Sequence, residues 1–325
     1  QQNVYEQIDW SVSPVRPILD AKGERLIIDV GWGGWKLFVG VWEVVVGRTR
    51  LLLMDTNVEG NSIPDREISG RLYGGDKTMR LRQEIVLGIG GIKMLRALGV
   101  PAAVYHANEG HSSFLFVELL REAVAAGKPL EQAMRETSEI GVFTTHTPVE
   151  AGHDVFDEQL VAEYFKNFWP ELGMSQEQFM ELARVPGEHG WNMTALSLRL
   201  AGRRNAVSRR HGFVSRHMWN KLWAGKPEED VPISYVTNGV HLGTWLQADI
   251  ARTYEKHLGP SWWDAQDDEA LWSKGAAIPD EELWSVHQRN KDELFKMLRG
   301  RARARWHSGE SDPGQIVAFV SLLDR

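Results

Sequence analysis

The chain has 325 residues, 42% of them hydrophobic and 25% charged, a balance that excludes disordered and fibrous classes and leaves room for about two domains. Thirty-seven basic against forty-four acidic side chains give −7, which argues against a nucleic-acid partner. With no cysteine, disulfides, thiolate metal sites and Cys nucleophiles are excluded. The run VWEVVV is broken by Glu43 and stops at Gly47, well short of the roughly 20 residues of a membrane span, and a cytoplasmic location is expected. Fourteen tryptophans suit either an aromatic-lined cleft or plain core bulk, and composition favours the second.

The first 60 residues read as extended structure: Leu26–Val30, Lys36–Val46 and Thr49–Met54 are β-branched runs between glycine-rich turns. From Lys77 the period changes, and Met79, Ile85, Val86, Ile89, Ile92 and Leu95 fall on one helical face that Gly99 and Pro101 terminate. A strand at Ala102–Tyr105, helices at Ser112–Ala126 and Leu130–Ile140, and a strand at Val142–Thr144 follow. Helices near Glu158–Phe168, Gln176–Arg184, Met193–Arg203 and Val214–Leu222 lead to a strand at Ile233–Val236. The alternation predicts an α/β protein with a parallel, helix-covered sheet. From Leu246 onward the chain reads as helical, with a basic helix end at Arg299–Arg305 and a last strand at Ile316–Leu322. Three segments are expected: a β-rich part over 1–60, an α/β core over 61–238 and a mainly helical part over 239–325.

Ligand sites of open parallel sheets lie beyond the carboxyl ends of the strands. Three expected strands run into polar turns there: His106-Ala107-Asn108-Glu109-Gly110-His111, Thr144-Thr145-His146-Thr147-Pro148 continuing to Gly152-His153-Asp154, and Thr237-Asn238-Gly239-Val240-His241. Taken singly, each has a plain explanation. His106 or His111 suits a cap for the following helix, Asn238-Gly239 a simple turn, and Thr145–Pro148 a strand end held by hydroxyls. The spacing His106-x-x-Glu109-x-His111 is one residue too long for an inverted zinc-protease motif, so no metal is expected. Gly88-Ile89-Gly90-Gly91-Ile92-Lys93 lies inside a helix rather than after a strand, which suits close helix packing and not a dinucleotide.

Five segments together carry a further signal: YGGDKTMRLRQEIVLGIGG (73–91), YHANEGHSSF (105–114), VFTTHTPVEAGHDVF (142–156), NMTALSLRLAGRRNAVSRRHGFVSRHMW (192–219) and VPISYVTNGVH (231–241). In this order they resemble the α-glucan phosphorylases, nearest to the bacterial branch that includes short enzymes. Ala206 and Arg210 depart from the family's NGVSRLHG, both expected on a helix flank. The resemblance implies a glycosyltransferase-B architecture of two Rossmann-like lobes. It also implies retaining transfer of a terminal glucosyl unit from an α-1,4-glucan to orthophosphate, giving glucose 1-phosphate, with pyridoxal 5′-phosphate as cofactor.

Position by position, the resemblance makes His146 the catalytic histidine, its imidazole at the terminal 6-hydroxyl and its carbonyl near the reacting carbon. Asn238 would hold the same hydroxyl, with Asn108, Glu109, His111 and Thr145 lining that wall and Asp76 near a gate. The family's phosphate-cradling glycine-rich loop would precede Gln1, and its Schiff-base lysine would follow Arg325. The chain is therefore expected to be an internal fragment (most of the first lobe and the helical start of the second) that neither holds the cofactor covalently nor turns over glucan. A homo-oligomer is compatible with the resemblance. Competing expectations are a nucleotide-sugar glycosyltransferase of the same fold and a non-catalytic glucan-binding relic.

Overall fold

The computed structural model describes residues 12–71 and 75–307, with residues 309, 314, 317 and 321. The chain forms two compact units, Gln1–Asn238 and Gly239–Arg325.

The first unit begins with an antiparallel sheet of β1 (Arg16–Pro17), β2 (Ile27–Asp29), β3 (Phe38–Val46) and β4 (Thr49–Asp55). β3 is its spine, pairing with all three others. Its turn into β4 is the two-residue Gly47–Arg48, with Gly47 at φ +59°, a conformation that glycine adopts without steric cost. After α1 (Ile63–Arg66), the predicted long helix runs as α2 (Lys77–Ile85), one π turn (Val86–Gly90) and α3 (Gly91–Ala97). Leu81, Ile85, Val86, Ile89 and Ile92 are buried on its inner face, as the 3.6-residue period requires.

Then come β5 (Tyr105–Asn108), α4 (Phe114–Ala125), α5 (Leu130–Ile140), β6 (Gly141–Thr145), β7 (Val155–Phe156), α6 (Glu158–Phe165), α7 (Gln176–Glu181), β8 (Trp191–Asn192), α8 (Met193–Leu200), β9 (Arg203–Ala206), α9 (Arg209–Trp219) and β10 (Ser234–Tyr235). The central sheet is all parallel, in the order β10-β9-β6-β5. Phe114, Phe165, Phe168, Phe179 and Trp191 form a ring-stacked core beside it.

Three differences from the sequence reading have local causes. The strand expected at Ala102–Tyr105 lies later, so His106 and Asn108 are strand residues and not turn residues; Val104, its apparent centre, is exposed. β9 takes the place of the end of a predicted helix. Its polar sequence Arg-Arg-Asn-Ala gives no apolar alternation, yet it sits between two strands that saturate its main chain. Ala206 is consequently not on a helix flank: it is fully buried at the end of β9, opposite Thr145 and Tyr235. α9 starts earlier than expected because Ser208 caps it, accepting from His211 N at 3.1 Å.

The second unit comprises α10 (Leu242–Trp245), α11 (Ala248–Leu258), α12 (Glu269–Ser273) and α13 (Asp280–His307), around a small core of Leu258, Trp262 and Leu271. Of the last predicted strand, Val317 and Ser321 are described and both are helical; its other residues lie outside the described ones.

The glycine cluster acts in packing, but unevenly. A Cβ on Gly88 would stand 2.7 Å from Leu115 N and Phe114 Cβ, whereas one on Gly91 meets nothing within 4 Å. Gly88→Ala should therefore destabilise the chain by about 1–3 kcal/mol through overpacking. Gly91→Ala should be neutral or stabilise it by up to about 1 kcal/mol through helix propensity. Urea denaturation of both variants checks the contrast.

Candidate functional site

Pairing in the parallel sheet is Asn108 with Thr144 and Thr145 with Ala206, so the strands end level at one edge. Asn238 lies three residues beyond β10, its main-chain N–H donating to Val207 O at 3.1 Å. The polar segments read from the sequence thus gather where parallel sheets place their ligands.

Glu109 organises this edge. It has φ 72° and ψ 168°, the one positive-φ non-glycine conformation among the described residues. Such backbone costs of order 1–3 kcal/mol and persists only where surroundings impose it. The surroundings here are main-chain donors. One carboxylate oxygen of Glu109 accepts from the backbone N–H of His146 and from that of Thr147 at 2.7 Å, and the Thr145 hydroxyl lies at 3.5 Å. The other accepts from Gly110 N at 3.3 Å. The Glu109 N–H continues the ladder to Thr144 O at 2.9 Å.

The same fastening orients His146. Its Nε2 is hydrogen-bonded to Asn108 Oδ1, and an amide oxygen accepts only, so Nε2 carries the proton and Nδ1 is left as an acceptor. Beneath lies a polar row across three strands. The Thr144 hydroxyl donates to Asn205 Oδ1 at 2.9 Å and so accepts from His106 Nε2 at 2.7 Å. His106 is thereby spent on the sheet and caps no helix. α4 begins at Ser113, whose own hydroxyl reaches Gly110 O, Met193 O and Ser197.

The remaining predicted residues are placed differently. His111 makes no hydrogen bond to this group. It lines a cavity of about 400 Å³ between β4 and α2, shared with Arg80, Gln83, Glu84 and Leu87. Burial, and then the Arg80 charge, hold its imidazole below the ordinary histidine value. Asp76 caps α2, accepting from Met79 N at 2.9 Å, and part of the segment before it, where a gate was expected, lies outside the described residues. No group of three or more His, Asp or Glu among the described residues could hold a metal ion, and no helix among them is long and apolar enough to cross a membrane. Asn205 was missed because its strand was missed. Arg80, Glu84 and Asp154 were quoted in motifs, but nothing in their spacing shows that they meet.

A parallel sheet wrapped by helices, with histidine and amide side chains at its carboxyl edge, is a Rossmann-like lobe compatible with part of a glycosyltransferase-B fold. No family model matches the chain. Curated relatives do. It is 40% identical to a glycogen phosphorylase of Aquifex aeolicus over 100% of this chain and 47% of that protein. It is 37% identical to a maltodextrin phosphorylase of Thermococcus litoralis over 94% of this chain and 36% of that protein. It is 35% identical to a glycogen phosphorylase of Mycobacterium tuberculosis over 100% of this chain and 39% of that protein. The chain is homologous to glycogen and maltodextrin phosphorylases along its length, and it spans less than half the length of these relatives.

Removing the Glu109 carboxylate should release His146. Glu109→Ala is expected to cost about 2–4 kcal/mol, because the main-chain bonds to its carboxylate are lost at a half-exposed edge, where each contributes less than the ~1.5–3 of a buried charged bond. The His146 imidazole resonance should shift as well. Thermal unfolding and histidine-selective NMR test this together.

His111 and His153 also predict acid sensitivity. Burial lowers both, so the unfolded chain binds more protons just below the ordinary histidine value, and stability should fall as the pH drops through that window. Denaturation midpoints between about pH 7 and 5 measure it.

Proposed function

We propose that this chain supplies the glucan-facing wall of an α-glucan phosphorylase, which transfers a terminal α-1,4-linked glucosyl unit to orthophosphate with retention, giving glucose 1-phosphate. The observation that carries the reading is the fastening of His146 at the sheet edge by Asn108 and Glu109, in a chain homologous to these enzymes along its length.

In this reading His146 accepts a sugar hydroxyl at Nδ1, the atom its bond to Asn108 leaves available. Asn238 presents its amide from beyond the end of β10, with β9 between it and the strand of His146. Histidine and amide give directional hydrogen bonds without a fixed charge that would compete with phosphate for the developing glucosyl cation. Glu109 bonds to main-chain amides and not to sugar, and so acts by fixing the position of the His146 main chain, carbonyl included. The reading includes a cytoplasmic location, and a maltooligosaccharide and orthophosphate as partners.

Pyridoxal 5′-phosphate belongs to the proposal for the whole enzyme. The residues of this wall do not fit it: no lysine or arginine is among the described side chains hydrogen-bonded into it. The buried ammonium of Lys93 is instead held by the carbonyl oxygens of Asp29, Val30 and Gly31 at 3.2–3.4 Å. The chemistry of this wall is binding and orientation.

The test is phosphorolysis of maltooligosaccharides by the whole enzyme and its His146→Ala variant. A contact strengthened in the transition state predicts a kcat loss of about 100-fold or more with KM changed far less. Equal losses in affinity and turnover would make His146 a ground-state binder. Turnover dependent on a nucleotide sugar, with none on phosphate, would replace the reading by a nucleotide-sugar glycosyltransferase.

A further inference from the structure

A second group of charged side chains lies under the same loop and has no part in the wall. Glu84 on α2 is 1% exposed, and neither of its carboxyl oxygens completes a hydrogen bond as an acceptor. Arg80, one turn earlier, brings Nε within 3.0 Å of Glu84 Oε1, and its terminal nitrogen donates to Asp154 Oδ2 at 2.9 Å. Asp154 ends the loop that begins at His146, and its carbonyl oxygen is anchored by Met193 N at 3.0 Å. One guanidinium therefore faces two carboxyl groups, one of them, Glu84, buried.

Two carboxylates there would repel, with the Arg80 charge shared between them. A proton removes the conflict, because a neutral carboxyl can donate where a carboxylate can only accept. We propose that Glu84, Arg80 and Asp154 form a positioning clamp for the His146 loop, in which the Glu84 carboxyl keeps its proton and donates it to Asp154 while Arg80 bridges the two. Asp154 is then the ionised partner of both, and the loop is tied to α2 at the end opposite His146.

The electrostatics agree with this arrangement. Burial, and then the Asp154 charge, hold the Glu84 carboxyl well above the usual range. Burial opposes ionisation of Asp154, yet hydrogen bonds from Arg80 and Glu84 keep it below its usual value. The other charged or titratable groups facing the clamp are Lys77 on α2, His111 after β5, Arg71 along the shared cavity and His153 next to Asp154.

The sign follows. Glu84 is raised in the folded chain, so its contribution is complete in acid and is lost as the pH rises through the raised value. Above that value two carboxylates oppose each other, the tie to α2 weakens, and His146 loses its fixed position. Glu84 and Asp154 touch no substrate in this account; they act through the loop. The consequence for sugar binding rests on the proposed function, whereas the shared proton does not.

Infrared spectroscopy of the chain, with histidine-selective NMR, tests the clamp. At neutral pH the wild type should show the C=O stretch of a neutral carboxylic acid. That band should be absent in Glu84→Gln, and absent in Asp154→Asn, where Glu84 is free to ionise against Arg80. On raising the pH the band should disappear in the wild type while the His146 resonance shifts in step, and in Glu84→Gln that shift should be lost. No such band at neutral pH, or one that survives Glu84→Gln, would overturn the shared proton. A band that titrates while His146 does not respond would overturn the positioning role. If band and His146 shift behave as expected but maltooligosaccharide leaves His146 unmoved, the clamp stands and the glucan reading falls.

Discussion

Glu109 sits where a side chain is unwelcome, in a region of backbone space that glycine fills more cheaply, and the site is built on that strain. Its carboxylate collects main-chain N–H groups from two strand ends, its own and that of His146. A shorter aspartate would need a different reach, and a glycine would relieve the backbone while leaving those amides without their acceptor. The conformation turns the chain out of β5 at the point where Asn108 can still bond His146. Stability is thus given up at one residue so that a histidine at the adjacent strand end is held in one orientation.

Much of this arrangement was legible in the sequence. The helical period from Lys77 and the stop at Gly99 describe a real helix, and the β-rich opening segment is an antiparallel sheet. The order of polar turns after apolar runs pointed to one carboxyl edge of the parallel sheet, where the structure gathers them, and the long motifs pointed to the phosphorylase homology. What was not legible has physical reasons. β9 is polar because its neighbours supply its main-chain bonds and Asn205 is needed under Thr144, so it carries no strand pattern. β5 starts later than its apolar letters suggest because Val104 faces solvent. His106 and His111 look alike in sequence, yet one is bound into the sheet and the other lines a cavity beside Arg80. Spacing alone does not separate them.

The loop from His146 to Asp154 is fixed at both ends through carboxyl groups. At the first, Glu109 accepts from backbone amides. At the second, Asp154 is tied to α2 through Arg80, with Glu84 beside it. Between them His153 bonds Thr194 at 2.9 Å and packs edge-on against Trp219. A short loop held this way keeps a hydrogen-bonding group in place without the loop itself being part of the sheet, the preorganisation that the proposed sugar contact would use.

The central claim is that the edge formed by Asn108, His146 and Asn238 meets a glucan. Mapping amide and imidazole NMR shifts of this chain during titration with a maltooligosaccharide tests it most directly. The account predicts saturable shifts at these three residues and at Thr145, smaller ones at Glu109, and none at the exposed Val45–Val46 end of β3. Shifts scattered over the surface, or none at His146 at millimolar sugar, would contradict it.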